Sequence, residues 1–255
     1  MKKLFTLLIS VLFCSFANCS QGNGNNLVVL TSADNPPYEF MSSDAVVGFD
    51  IDLIRIIATR LGKSCEIKDM PFSSIIPALR AKQADMAIAA ITPTDLRRQN
   101  LDFSIPYQTN TSALAIVKTR DFNNVREGAY FPIELLKNRT LGVQIGTHHE
   151  SDVKEANIDG VTLRRYDNVN SLVAEMAKSA NGTGILYGIV IGEPEARLIA
   201  SKNPKLVFYR LKFEDSFAIA FPKGSPLRDD VNCILNDLAA EGKISELESK
   251  WDISK

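Results

Sequence analysis

Apolar and polar positions along this chain follow two alternating periods. Residues 27–31, Leu27-Val28-Val29-Leu30-Thr31, make an almost unbroken apolar run of strand length, the pattern of a strand covered on both faces. Asn35-Pro36-Pro37-Tyr38 follows as a loop, because consecutive prolines cannot continue a helix. From Gly48 the period changes. Phe49, Leu53, Ile54, Ile57 and Leu61 recur at helical spacing, and Gly62 supplies a stop. Residues 65–68 read as a second strand. A helix over 73–83 is opened by Ser73, with Pro77 tolerated in or near its first turn. Residues 85–91 read as a third strand of small residues, after which Thr94 caps the turn carrying Arg97 and Arg98. The order β-α-β-α-β predicts a parallel sheet flanked by helices, with ligand crevices at the carboxyl ends of strands. Those ends fall at 31–35 and 90–94, both polar and proline-bearing.

A second unit of the same kind follows Tyr107. Strands are expected at 112–118, 140–145, 184–191 and 205–211, with helices over 171–179 and 193–201. Gly146-Thr147-His148-His149-Glu150 reads as a helix start, and the tail as a strand at 218–221 followed by two helices over 227–249. Two similar α/β halves are the internal echo.

Composition narrows the class. With 255 residues, 45% of them hydrophobic, the chain can bury one large core or two smaller ones. Its 29 basic and 30 acidic residues give a net charge of −1 without long runs, which excludes a nucleic-acid-binding footprint. The N-terminus differs. Lys2 and Lys3 precede an apolar run over 4–16 and small residues near Ala17, the pattern of a secretory signal peptide and too short for a spanning helix. Residues 1–18 are therefore expected to be removed, and the mature chain to work outside the cytoplasm. Cys19 stands where a bacterial lipoprotein carries its lipid; lipidation there and cleavage after Ala17 both fit, with 19–26 as a Gly- and Asn-rich tether. Cys14 leaves with the signal. Cys65 and Cys233 remain, as a disulfide or as two free thiols.

The runs Pro36-Pro37-Tyr38-Glu39-Phe40 and Gly48-Phe49-Asp50-Ile51-Asp52-Leu53 resemble the opening of the polar amino-acid-binding proteins of ABC transporters. The resemblance continues through Ile76-Pro77-Ala78-Leu79 and Ala84-Asp85-Met86. It is densest at Thr92-Pro93-Thr94-Asp95-Leu96-Arg97 and Phe103-Ser104-Ile105-Pro106-Tyr107, and it resumes at Phe221-Pro222-Lys223-Gly224-Ser225-Pro226-Leu227 and Gly242-Lys243-Ile244. Among members the chain is most similar to the arginine-binding, ArtJ-like group. The resemblance implies a clamshell: lobe 1 from 27–110 and 214–255, lobe 2 from 111–213, a two-strand hinge, and an amino acid held between the lobes. It also implies an ABC permease complex in the inner membrane as partner, a monomer, no cofactor, and no membrane contact except through a lipid at Cys19.

An α-amino acid presents a carboxylate, an ammonium and a side chain. For the carboxylate, the resemblance gives Arg97 the main role, since a guanidinium fork matches two oxygens and stays charged when desolvated. Ala90 through its backbone and Thr92 through hydroxyl and N–H flank the same group. From lobe 2, Thr147 with His148 would meet it at a helix start, where free N–H groups favour an anion. His148 and His149 lack a third ligand at zinc spacing, so no metal is expected. For the ammonium, family members carry an aspartate just before a Glu-Pro pair. Here Gly192 stands there, so Glu193 is the expected substitute and Asp215 the fallback. For the side chain, Phe72 holds one stacking position, Asn35 the other, with Tyr38 to compensate. Ser32 stands where an aspartate often meets a distal cation, leaving Asp34 and Glu39 as local acids. Arginine is favoured, with glutamine, histidine and lysine open. Two other classes remain. One is a cleft enzyme, dehydratase-like, with Glu193 as its acid. The other is a ligand-sensing protein, which would need a signalling partner.

Overall fold

In the computed structural model, which describes residues 26–117 and 126–253, the first half of the fold is laid down in chain order. It contains β1 (Asn26–Thr31), β2 (Asp34–Asn35), β3 (Glu39–Ser42), β4 (Ala45–Val47), α1 (Phe49–Arg60), β5 (Ser64–Asp69), α2 (Phe72–Arg80), β6 (Met86–Ala87), α3 (Asp95–Arg98) and β7 (Leu101–Phe103). The second half runs β8 (Gln108–Val117), β9 (Thr140–Gln144), α4 (His149–Glu155), β10 (Thr162–Tyr166), α5 (Val169–Ala180), β11 (Gly188–Gly192), α6 (Glu193–Lys202) and β12 (Leu206–Phe217). The chain ends with β13 (Ala220–Pro222), α7 (Leu227–Ala240) and α8 (Lys243–Lys250). The signal segment, Cys14, Cys19, the tether up to residue 25, and Lys118 at the end of the strand expected over 112–118 lie outside the described residues.

Helix α1 shows how the apolar period becomes a packed face. Phe49, Leu53, Ile54 and Ile57 are fully buried, and each such side chain contributes on the order of 1.5–3 kcal/mol. The helix needs glycine before it. Gly48 sits at φ +134, and a Cβ there would stand 2.0 Å from the Tyr38 carbonyl oxygen. Helix α2 starts one residue before the expected Ser73 and puts Pro77 in its interior rather than its first turn. The small-residue strand expected over 85–91 pairs as a strand only at Met86–Ala87, and the strand expected over 184–191 is confined to Gly188–Gly192.

Two five-stranded sheets result, ordered β5-β1-β6-β13-β7 and β10-β9-β11-β8-β12, with β2-β3-β4 as a small separate sheet. Each large sheet is parallel over three strands, as β-α-β units require. Each turns antiparallel where β13 or β8 enters. Apolar clusters cover both faces of each sheet: Val29, Ile57 and Phe221 against Leu30, Ile75 and Ala87 in the first, Val143 and Val190 against Leu172 and Ile189 in the second. The two lobes are joined by β8 and β12, which pair antiparallel from Leu206↔Val117 to Phe217↔Gln108 with a register shift between Arg210 and Glu214. No helix among the described residues is long and apolar enough to cross a membrane. Cys65 and Cys233 are both free thiols, the first half-buried and the second exposed.

Candidate functional site

The strand ends of both sheets converge on one cleft. Beyond β1 stand Ser32, Asp34 and Asn35; beyond β6, Ala89 and Ala90; beyond β9, Thr147 and His148; at the end of β11, Ile191 and Gly192. They enclose a cavity of about 50 Å³, room for a water or two. Its lining holds four carboxyl side chains, Asp34, Glu39, Glu195 and Asp215, and among the described residues no lysine or arginine.

Four hydrogen bonds cross from the first lobe to the second at this seam. Arg97 Nη2 donates to the Gly146 carbonyl at 2.8 Å. Asp34 Oδ2 accepts from the Val169 N–H at 2.7 Å and from Gln144 Nε2 at 3.3 Å. Thr92 Oγ1 lies 3.1 Å from His148 Nδ1. An amino acid larger than the cavity enters only when these bonds part.

Arg97 is placed by α3, whose N-cap Thr94 accepts the Arg97 N–H. Its side chain is buried, donates to the Thr92 carbonyl at 2.6 Å, and holds its guanidinium carbon 5.5 Å from the Phe72 ring centre. Burial lowers its pKa to about 10, which leaves it charged at neutral pH. Thr92 donates its hydroxyl to Asp215, whose other oxygen is 3.2 Å from His148 Nε2. Burial would raise the Asp215 carboxyl, but His148, His149 and that hydroxyl together hold it below the ordinary range. His149 lies behind, with Nδ1 3.3 Å from Ser112; burial beside His148 and Arg97 pushes it down to about 3, so it is neutral.

The acids are not alike. Glu39 is fully buried, accepts from Asn35 at 3.1 Å, and faces Asp50 at the start of α1. Burial, then the Asp50 charge, raises Glu39 well above the usual carboxylate range, so it keeps its proton and donates it in a hydrogen bond to Asp50. Asp50 is itself pushed up to about 6 by burial, and it accepts from the Ala90 N–H at 2.8 Å and the Tyr107 hydroxyl at 2.9 Å. Ala90 sits at φ +44, strained for a residue with a Cβ, and its N–H points back into lobe 1 rather than into the cleft.

Of the residues expected from sequence, Ser32, Asn35, Glu39, Phe72, Ala90, Thr147 and His148 line the cavity, and Thr92 and Arg97 stand at its seam. Thr147 turns its hydroxyl to the Gln144 carbonyl at 2.8 Å. Two residues are elsewhere. Tyr38 is fully buried in the lobe 1 core, edge-on to Phe49 and Phe217, and its hydroxyl accepts from Asn110; the adjoining Pro36-Pro37 turn aims it inward. The Glu193 carboxylate leaves the cleft for Arg210 on β12, in a two-pronged pair at 2.7 and 2.6 Å. Glu195, two positions on, enters instead. Its signal was present: Glu195, Leu198 and Ile199 fall at i, i+3 and i+4, an acid on the apolar stripe of α6.

His148, His149 and Asp215 bring one candidate ligand atom each to within 4.8 Å of the others. Thr92 and Ser112 already face the two ring Nδ1 atoms, and Arg97 adds a positive charge that opposes a cation there.

Two sheets joined by a pair of long strands, with charged side chains meeting in the cleft between them, define a two-lobed solute-binding protein. The chain belongs to the bacterial extracellular solute-binding proteins, family 3, whose sequence profile it matches over residues 27–254. The arginine-binding extracellular protein ArtP of Bacillus subtilis (strain 168) is 30% identical to it, over 98% of this chain and 98% of its own. A mutant of ArgBP from T. maritima superposes with a TM-score of 0.78 at 33% identity, over 89% of this chain and 95% of that one. An ancestral arginine-binding protein bound to glutamine gives 0.78 at 31% identity, over 91% and 99%.

Proposed function

We propose that the protein binds a polar or basic L-amino acid, arginine in the first place, by closing its lobes on it, and presents the closed form to an ABC permease complex. The observation that carries this reading is the seam itself: a buried, charged Arg97 beside a cavity lined by four carboxyl groups. An amino acid with a cationic side chain supplies one carboxylate for the arginine and two cations for the acids. Arg97 would exchange the Gly146 carbonyl for the amino acid's carboxylate, Thr92, Thr147 and His148 would close around it, and Phe72 would stack on its side chain. Asn35, Ser32 and Glu39 remain for the distal cation, so ligand contacts come from both lobes and stabilise closure. The lobes divide at residues 110/111 and 213/214. We read the chain as a binder and not an enzyme, because ArtP, ArgBP and the ancestral protein are arginine-binding proteins. A monomer outside the cytoplasm, held at the membrane by a lipid on Cys19 if at all, completes the reading.

A thermal-shift screen against the twenty amino acids tests it. A tight ligand raises stability by about 4 kcal/mol at a thousandfold excess over its Kd. A large shift with arginine is expected; a shift with glutamine alone removes the arginine preference, and none across the panel overturns the reading.

A further inference from the structure

Position 192 holds a glycine that its own backbone does not require. Gly192 sits at φ −67 and ψ 157, open to any residue, and it is the N-cap of α6, where Asp, Asn, Ser or Thr would serve better. What excludes a side chain is Glu195. A Cβ on residue 192 would stand 2.2 Å from Glu195 Oε2 and 2.9 Å from its Cδ. The missing side chain and the incoming carboxylate are one feature.

The carboxylate so admitted lines the cavity, is 5% exposed, and has no hydrogen-bond partner for Oε2. An unpartnered, buried carboxyl oxygen costs free energy unless something in the cleft meets it. Facing it are Asp34 in the lining, Asp50, Glu39 and Tyr38 from lobe 1, Asn35 on β2, and Asp215 on the hinge strand β12. Of the basic groups about the cleft, Arg97 is engaged with Thr92 and Gly146, and His148 with Asp215. We infer that Glu195, admitted by Gly192, is the residue that receives the α-ammonium of the bound amino acid. This rests on the amino-acid-binding reading and names the acid that reading lacks, since Glu193 is paired with Arg210.

A second consequence follows. Burial, with the charges of Asp215 and Asp50 behind it, pushes Glu195 up to about 8, while its own N–H and Asn35 act the other way. At pH 7 it is therefore mostly protonated, and an arriving ammonium expels that proton. Binding at pH 7 releases close to one proton through this group.

The test is calorimetric titration of the full mature chain with arginine and with 5-guanidinopentanoate, which is arginine without its α-amine, in buffers of different ionisation enthalpy. Three chains are compared: wild type, Glu195→Gln and Gly192→Ala. The last keeps the acid and displaces only the far end of a flexible side chain, so the fold is retained. Both variants should weaken arginine by at least about 30-fold and leave the desamino compound within about threefold. The proton released by wild type should vanish in Glu195→Gln. Glu195→Ala combined with Gly192→Asp, which returns a carboxylate to the same space, should recover arginine affinity. Wild-type binding with unchanged affinity in Glu195→Gln, or equal losses for both compounds, overturns the assignment alone. A wild type that binds none of the twenty amino acids overturns the functional reading and this with it.

Discussion

Arg97→Ala is the substitution on which the seam depends most. In the protein its guanidinium donates to the Thr92 carbonyl at 2.6 Å and to the Gly146 carbonyl at 2.8 Å, over the Phe72 ring. A hydrogen bond from a charged donor is worth about 1.5–3 kcal/mol net. Removing the guanidinium also leaves an amino-acid carboxylate in the closed cleft without its partner, at a cost of about 2–5 kcal/mol. At about 1.4 kcal/mol per decade, arginine affinity should fall between roughly 30-fold and a few thousand-fold. Isothermal titration measures this directly, with Arg98→Ala as control. Arg98 is exposed, and its side chain donates to the Pro93 carbonyl and lies over the Phe103 ring, outside the cavity lining, so its loss should leave affinity within about twofold. Circular dichroism would check that Arg97→Ala is folded. A folded Arg97→Ala that binds arginine within threefold of wild type would refute the assignment of the carboxylate to this seam.

Three further outcomes are expected. Glu193→Gln should leave arginine affinity within about threefold and lower stability by about 1 kcal/mol, because its part-exposed pair with Arg210 is structural; a melting curve reads this as a drop of about 2–4 °C, and a large affinity loss would reinstate Glu193 in the cleft. Stability should fall as pH rises from about 6.5 to 8. Folded Glu195 keeps its proton to about 8 against 4.5 when unfolded, so its contribution is full below about 4.5, shrinks steadily as pH rises between those values and is gone above about 8. Glu195 contributes at most about 1.4 kcal/mol per pH unit, the slope should become shallower in Glu195→Gln while Glu39 keeps its own share of the same sign, and His149, low at about 3, contributes its opposite slope only below about 6.5. Asp34→Ala removes the bonds to Val169 and Gln144, so small-angle scattering without added amino acid should give a larger radius of gyration than wild type; an unchanged radius would mean those bonds do not hold the lobes together.

Much of this was legible in the order of residues. Phe49, Leu53, Ile54 and Ile57 announce α1 because a helix repeats its face every three to four residues, and Leu27–Leu30 announce β1 because a strand covered twice needs no alternation. The Arg97 turn was legible through its Thr94 cap. Side-chain direction was not. Glu193 and Glu195 are two residues apart at a helix start, so they point to nearly opposite sides, and which side is the cleft depends on where Arg210 arrives from a strand formed later in the chain. Tyr38 was misplaced for the same reason, since the turn at Pro36-Pro37 sets its direction and the packing of Phe217 behind it is set by the hinge. The extent of β6 depended on β13, which pairs Ala220 with Ala87 and arrives more than a hundred residues later.

That late arrival shapes how the molecule is made. In the first sheet β13 lies between β6 and β7, so neither neighbour has its full set of backbone partners until the last forty or so residues have emerged. The second sheet has all its strands once β12 has formed, while the sheet synthesised first still waits. Until β13 arrives the first sheet keeps open edges, so a truncation that removes it damages the half of the fold laid down earliest.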